Sequence, residues 1–169
     1  NAAPLLEPTL DAVAALPHKA LEHVVVDGGS RDGSVELLHK RGGDTLRWIS
    51  EPDRGIYDAM NKGLALARGE YVWFLNAGDL PAGPAVLDPL WRPDAPDILY
   101  GDTELVDESG RLRKVARAPQ RLCAEDMVYG MLVSHQSFIV RRALAPTYDL
   151  PGPAAQPPPD PRRRGAHHA

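Results

Sequence analysis

Three short motifs in this 169-residue chain carry residue types suited to chemistry: Asp27-Gly28-Gly29-Ser30-Arg31-Asp32-Gly33, Glu51-Pro52-Asp53-Arg54-Gly55 and Asn76-Ala77-Gly78-Asp79. Each follows an apolar run. In a parallel α/β sheet, ligands bind at the carboxyl ends of the strands, so motifs in these places fall on one edge. A carboxylate there accepts from a base N–H or ribose hydroxyls, an arginine meets phosphate, and glycines let a bulky ligand approach the backbone. A nucleotide suits such an edge. Taken singly, each motif also has a plain structural reading. Asp27 with its two glycines makes a turn, Asp32 caps the following helix, and Asp53, Arg54 and Gly55 form a surface turn with a weak ion pair. Three such turns on one edge favour a common cause. The G-x-G-x-x-G pattern of dinucleotide folds is missing between the first strand and helix, and no Gly-Lys-Ser/Thr triplet of a P-loop occurs.

The elements that must position these motifs alternate. Residues 4 to 16 have apolar positions at helical spacing, His23 to Asp27 is a β-branched run, Asp32 to Arg41 returns to helical composition, and Thr45 to Glu51 reads as a strand. Ile56 to Arg68 sets Ile56, Met60, Gly63 and Ala67 along one face, which predicts a helix packed closely on a sheet and stopped by Gly69 at the C′ position. Glu70 to Leu75 is apolar on successive positions, as in a strand covered on both faces of a parallel sheet. Strand and helix alternation predicts an α/β fold with right-handed crossovers. Beyond Asp79 a short helix is expected over Pro84 to Trp91. Strands follow over Ile98 to Asp107 and Arg111 to Arg117 around a Glu108-Ser109-Gly110 turn, then a helix over 121 to 131 and a strand over Ser137 to Arg142.

Composition bounds the rest. With 19 basic and 23 acidic residues the net charge is −4, which argues against a nucleic-acid partner. Hydrophobic residues at 43% describe one soluble globular domain. No stretch approaches the roughly 18 uninterrupted apolar residues of a membrane span, and the first ten residues lack a signal-peptide pattern. The expected address is the cytoplasm, extending to the inner face of the membrane. Cys123 is the single cysteine, so neither an internal disulfide nor a Cys-rich zinc site can form. The proline- and arginine-rich residues 150–169 have no aromatic residue, no Ile or Val and a single Leu at the first position, too little to offset ordering entropy, and are expected to be a disordered tail. The domain is expected over 1–149.

The blocks EHVVVDGGSRDGSVELL (22 to 38), WISEPDRGIYDAMNKGLALARGEYVWFLNAGD (48 to 79), DILYGDTELVDESG (97 to 110) and SHQSFIVRR (134 to 142) resemble the family 2 glycosyltransferases of GT-A fold, in particular the bacterial branch that builds surface polysaccharides. The resemblance implies a Rossmann-like, mostly parallel sheet flanked by helices, with a β-hairpin addition. It implies transfer of a sugar from a nucleoside diphosphate donor to a hydroxyl of a glycan or lipid-linked acceptor, with inversion. Asp27 would receive the nucleobase, with Gly29 and Ser30 shaping that pocket. Arg54, Asp58, Asn61 and Lys62 would line the nucleotide and diphosphate side, together with Asn76. Many relatives have Asp-x-Asp-Asp at the third motif. Here one carboxylate, Asp79, is left as protein ligand for a divalent cation, Mg²⁺ or Mn²⁺, completed by diphosphate oxygens and waters; the alternative is that Asp79 is only a turn residue.

No catalytic base stands out by this resemblance. In relatives it lies after a turn that Tyr148-Asp149 resembles, in a segment this chain lacks. His135, in the HQS block, and Asp102 are the remaining candidates. Asn1 aligns with the end of the relatives' first strand, so both ends read as those of a fragment, with weak or no turnover expected. Two rival readings are a nucleotidyltransferase of related architecture and a module that binds nucleotide without catalysis.

Overall fold

The computed structural model describes residues 1–17, 20–43, 46–107, 109–122 and 133–149. Helix α1 (Ala3–Ala14) starts with Pro4 in its first turn, where a missing N–H costs nothing, and buries Leu6, Thr9 and Leu10. Strand β1 (His23–Asp27) and strand β2 (Leu46–Ser50) pair in parallel, with Val25 opposite Trp48 and Asp27 opposite Ser50. The crossover between them is helix α2 (Ser34–Arg41). Its fully buried Leu38 joins Leu6 and Leu10 in a core backed by Val25, Leu46 and Trp48. Arg41 closes α2 onto α1 by pairing with Glu7 at 2.9 Å and Asp11 at 2.5 Å.

Helix α3 (Ile56–Leu66) follows β2 and lies on β1. Met60 is its buried residue, and Gly63 rests so near Val26 that an added Cβ would stand 3.8 Å from the valine Cγ2. The close helix–sheet packing expected from this face is therefore present. The stop differs from expectation. The chain leaves the helix at Ala67, in an extended conformation, and the Gly69 N–H is taken by the Glu22 carboxylate at 2.7 Å, so Gly69 is not the left-handed C′ residue.

The α/β class holds, but β1 with β2 is the one parallel pair among the described residues. The expected mostly parallel sheet is narrower for a physical reason. Strand β3 (Tyr71–Trp73) takes an antiparallel neighbour, and the strand over Ile98 to Asp107 splits into β4 (Ile98–Tyr100) and β5 (Thr103–Val106) at Gly101-Asp102. β5 turns back as a hairpin with β6 (Leu112–Ala116), the turn using Gly110 at φ 76°. Strand β7 (Phe138–Arg141) runs antiparallel between β3 and β4, giving the order β3-β7-β4. A 3₁₀ helix, Pro84–Trp91, occupies the place expected for a short helix. The helix expected over 121 to 131 and the tail over 150–169 fall outside the described residues, except for Arg121 and Leu122.

Candidate functional site

The three strand-end motifs do gather at one end of the molecule. Asp27 closes β1, and only a side chain smaller than any Cβ fits next to it: a Cβ on Gly28 would stand 2.5 Å from the Asp53 carboxylate, so the first and second loops abut. The third loop meets the start of α1. A Cβ on Gly78 would lie 3.6 Å from Leu5, and the buried Thr9 hydroxyl accepts the Gly78 N–H at 2.9 Å and bonds the Asp79 carbonyl at 3.0 Å. The first loop meets the same helix start, since Asp32 accepts the Ala3 N–H at 2.9 Å.

Asp27 is buried, and its Oδ2 accepts the N–H groups of Gly29 at 3.1 Å and Ser30 at 2.9 Å and the hydroxyl of Ser50 at 2.6 Å. Burial pushes its pKa up. The bonds from Ser30, Ser50 and Gly29 outweigh that and hold it below the usual carboxylate value, so a charged oxygen is fixed at the strand end. Gly29 has φ 82°, in the left-handed region the loop needs to aim both N–H groups inward. Asp32 has the plain role. Its Oδ1 accepts from the Ser34 hydroxyl and N–H at 2.7 and 3.2 Å, and these bonds, with that of Ala3, hold its pKa at about 2. From one residue ahead of the Gly33 N-cap it takes the first N–H of α2, and it pins the start of α1.

In the second loop, Arg54 donates its backbone N–H to Asp58 at 3.0 Å while its guanidinium, 66% exposed, reaches into solvent. Lys62 points back into the loop, donating to the Pro52 carbonyl at 2.9 Å and Glu51 at 2.8 Å, with Asp58 at 3.6 Å. The bond to Glu51 first, and the Asp58 charge besides, raise the Lys62 pKa. Asp58 is lowered, chiefly by the Arg54 N–H. Asn61 binds the backbone of Tyr148 in both directions, each bond 2.8 Å, and the Tyr57 and Tyr148 rings lie 4.9 Å apart. Of these four residues, Arg54 presents its charge outward, and Asp58, Asn61 and Lys62 brace the loop and dock residues around 148.

In the third loop Asp79 accepts the Asn76 N–H at 2.8 Å, and the Asn76 side-chain amide stands 3.3 Å from His135 Nε2. His135 lines a pocket of about 380 Å³ with Thr103, Arg117, Ser134 and Gln136. Asp102 is held by the Ala118 N–H at 2.8 Å and by the Arg117 guanidinium, and both lower its pKa, making it a weaker base than a free carboxylate. Among the described residues no cluster of three or more His, Cys, Asp or Glu side chains is arranged to hold a metal ion. Asp79 alone is a hard oxygen donor at the expected place, which fits Mg²⁺ or Mn²⁺ only when a diphosphate supplies further oxygens.

Sequence reasoning passed over Thr9 and Ser50. Ser50 is legible once β1 and β2 are set in register, because it then faces Asp27. Thr9 leaves no such signal, since its partners are about 70 residues away.

An α/β domain with three strand-end loops gathered about a fixed anion and an outward guanidinium is of the class that takes ligands at the carboxyl ends of its strands. The chain belongs to glycosyl transferase family 2, whose model matches residues 1–95. It is 43% identical over 83 residues to an uncharacterized glycosyltransferase of Mycobacterium tuberculosis (strain CDC 1551 / Oshkosh), a match covering 48% of this chain and 32% of the relative. It is 33% identical over 109 residues to a PGL/p-HBAD biosynthesis glycosyltransferase of Mycobacterium bovis (strain BCG / Pasteur 1173P2), covering 60% of this chain and 43% of the relative. The chain thus spans less than half the length of these relatives. Among solved structures it is similar to a mannosyltransferase of Pyrobaculum calidifontis in complex with GDP-Man and Mn²⁺, at 31% identity and TM-score 0.47, covering 64% of this chain and 33% of that one.

Proposed function

We propose that residues 1–149 bind a nucleoside-diphosphate sugar across the three loops and serve transfer of its sugar, with inversion, to a hydroxyl of a glycan or lipid-linked acceptor. The observation that carries this reading is the buried, charged Asp27 carboxylate beside a loop whose Arg54 guanidinium, 3.9 Å from Asp58, is two-thirds exposed. A base N–H or ribose hydroxyl donates to Asp27 or its Ser30 partner, and the diphosphate meets Arg54. Gly29 leaves room for the ring above the loop. Asp58, Asn61 and Lys62 act by holding the second loop in place, and Asn76 by setting Asp79 against His135. Asp79 would hold Mg²⁺ or Mn²⁺ jointly with the diphosphate, and the cation would neutralise the leaving group's charge.

Of the two candidate bases, His135 lines the pocket next to the third loop, whereas Asp102 is engaged by Arg117. Acceptor delivery at the cytoplasmic face of a membrane fits a lipid-linked substrate. Among the described residues no helix is long and apolar enough to cross a membrane. Titration calorimetry with UDP and GDP, with and without Mn²⁺, tests the site. Binding that requires Mn²⁺ and is lost in Arg54→Ala supports it. A folded protein that binds neither nucleotide overturns it, and binding indifferent to Mn²⁺ and to Asp79→Ala removes the metal role alone.

A further inference from the structure

The pocket at His135 is walled by two segments that the fold staples together. The turn from Ser134 to Ser137 supplies one wall, and the start of β5 with Arg117, just beyond β6, supplies the other. The Ser137 carbonyl accepts the Gly101 N–H at 3.1 Å, and the Ser137 hydroxyl bonds Thr103 and the Asp102 carbonyl. Trp73 of β3 donates its indole N–H to the Gln136 carbonyl at 2.7 Å, so the turn is fixed from below as well. At about 380 Å³ the pocket has the size of a small-ligand site, which runs from about 300 to 1,000 Å³. Its polar lining is of one kind. Arg117, Ser134, His135 and Gln136 all bring N–H or O–H groups, and no carboxylate is among the described lining residues, in a chain of net charge −4. Asp102, paired with Arg117, has both oxygens taken, Oδ1 by the Ala118 N–H at 2.8 Å and Oδ2 by one Arg117 nitrogen. The other Arg117 donors are open, because the side chain is 77% exposed and an exposed pair with a carboxylate holds weakly.

We infer that this pocket binds an oxyanion carried by the acceptor, a sugar carboxylate or a phosphate, and so selects acidic acceptors. Donors without a free carboxylate among them call for a ligand that accepts hydrogen bonds, and the planar guanidinium fork matches two oxygens of one anion. Arg117 takes that pair of oxygens. The Ser134 hydroxyl, which makes no capping bond to its own turn, and the Gln136 side-chain amide meet the lone pairs that remain. His135 joins this anchor to the third loop, since its Nε2 stands 3.3 Å from the Asn76 amide and Asp79 holds the Asn76 N–H. An acceptor anchored by its anion thus lies beside the loop that carries Asp79. The acceptor role rests on the nucleotide-sugar reading of the three loops, whereas the ligand class rests on the pocket alone.

The test reads amide NMR shifts of the full chain with methyl glucuronide, its neutral partner methyl glucoside, and isopentenyl phosphate, which carries a phosphate without a sugar. Saturable shifts at Ala118, Ser134 and Gln136 are expected with an oxyanion, which should bind about tenfold more tightly than the glucoside, as for one hydrogen-bonded charge. The tighter oxyanion names the source, glucuronide a sugar carboxylate and isopentenyl phosphate a lipid-linked phosphate. Arg117→Gln should weaken that binding about tenfold. Ser134→Ala leaves the pair with Asp102 in place, should weaken binding about fivefold, and keeps the test decisive if the first variant disturbs the hairpin. Equal affinity for glucuronide and glucoside, no saturable shift with either oxyanion, or binding unchanged in both variants overturns the inference. Shifts confined to Gly29, Ser30 and Arg54 overturn it too, since the anion then sits in the nucleotide loops. Calorimetry with UDP or GDP and Mn²⁺ on the same samples should find nucleotide binding unchanged in Arg117→Gln. A chain that binds nucleotide but no oxyanion overturns this inference alone. Oxyanion shifts in a folded chain that binds neither nucleotide support the oxyanion site and overturn the nucleotide reading, and the acceptor role with it.

Discussion

Asp27 draws three donors onto one buried oxygen, so its removal is felt in both stability and binding. Asp27→Ala leaves the N–H groups of Gly29 and Ser30 unpaired and is expected to cost about 1–3 kcal/mol, read as a lower urea midpoint. Nucleotide affinity should fall at least tenfold in the same variant. Because its pKa in the folded state lies below the ordinary 3.8, the carboxylate stabilises the fold fully above that value. The contribution is lost as pH falls through the lower folded value. Asp32 behaves alike between 3.8 and about 2, so acid unfolding of Asp32→Asn should begin from a less stable plateau and converge with the parent below pH 2. The places of Asp27 and Arg54, at the end of β1 and in the loop after β2, were legible in the sequence because each place follows an apolar run. The docking of Asn61 onto Tyr148 was not, because the two are 87 residues apart, and a side chain's nearest neighbours in the chain say nothing of such a contact.

At the scale of elements, α1 governs the third loop through Thr9, which is 3% exposed. Thr9→Val keeps the shape but orphans the Gly78 N–H, with an expected loss of about 1–3 kcal/mol in urea unfolding. Metal-dependent nucleotide binding should weaken with it, because the loop carries Asp79. Gly63 offers the opposite case. Its Cβ space is open to ordinary contact at 3.8 Å, so Gly63→Ala should stabilise the protein by about 0.5–1 kcal/mol from helix propensity. A measured loss would mean that α3 lies closer to β1 than the structure has it. The elements over residues 23 to 73 were readable from periodicity, since apolar runs and helical faces alternate there with clear turn residues. The break at Gly101-Asp102 was not. Gly101 donates to the Ser137 carbonyl and Asp102 takes Arg117, so partners from later in the chain decide where β4 ends and β5 begins.

For the whole molecule, Glu22 is one tie between its two halves, beside those of Thr9 and Asn61. It accepts from Arg68 and Gly69 through one oxygen and pairs with Arg47 at 3.3 Å through the other. Burial raises its pKa, and the backbone bonds with the Arg47 charge outweigh that and lower it, so its contribution is present above the ordinary 4.5 and lost as pH falls through the folded value. Glu22→Ala should lower the melting temperature at pH 7 and leave little difference from the parent in acid. The halves also differ in how they come together in time. Asp27 and Ser50 meet across 23 residues, whereas Tyr71 and Arg141 meet across 70. Longer loops cost more entropy to close before their contacts reward it. On a ribosome, synthesis releases the N-terminal half first. The loops after β1 and β2 therefore gain their shape while β3 still waits for β7, and the edge of β3 spends that interval exposed to other nascent chains.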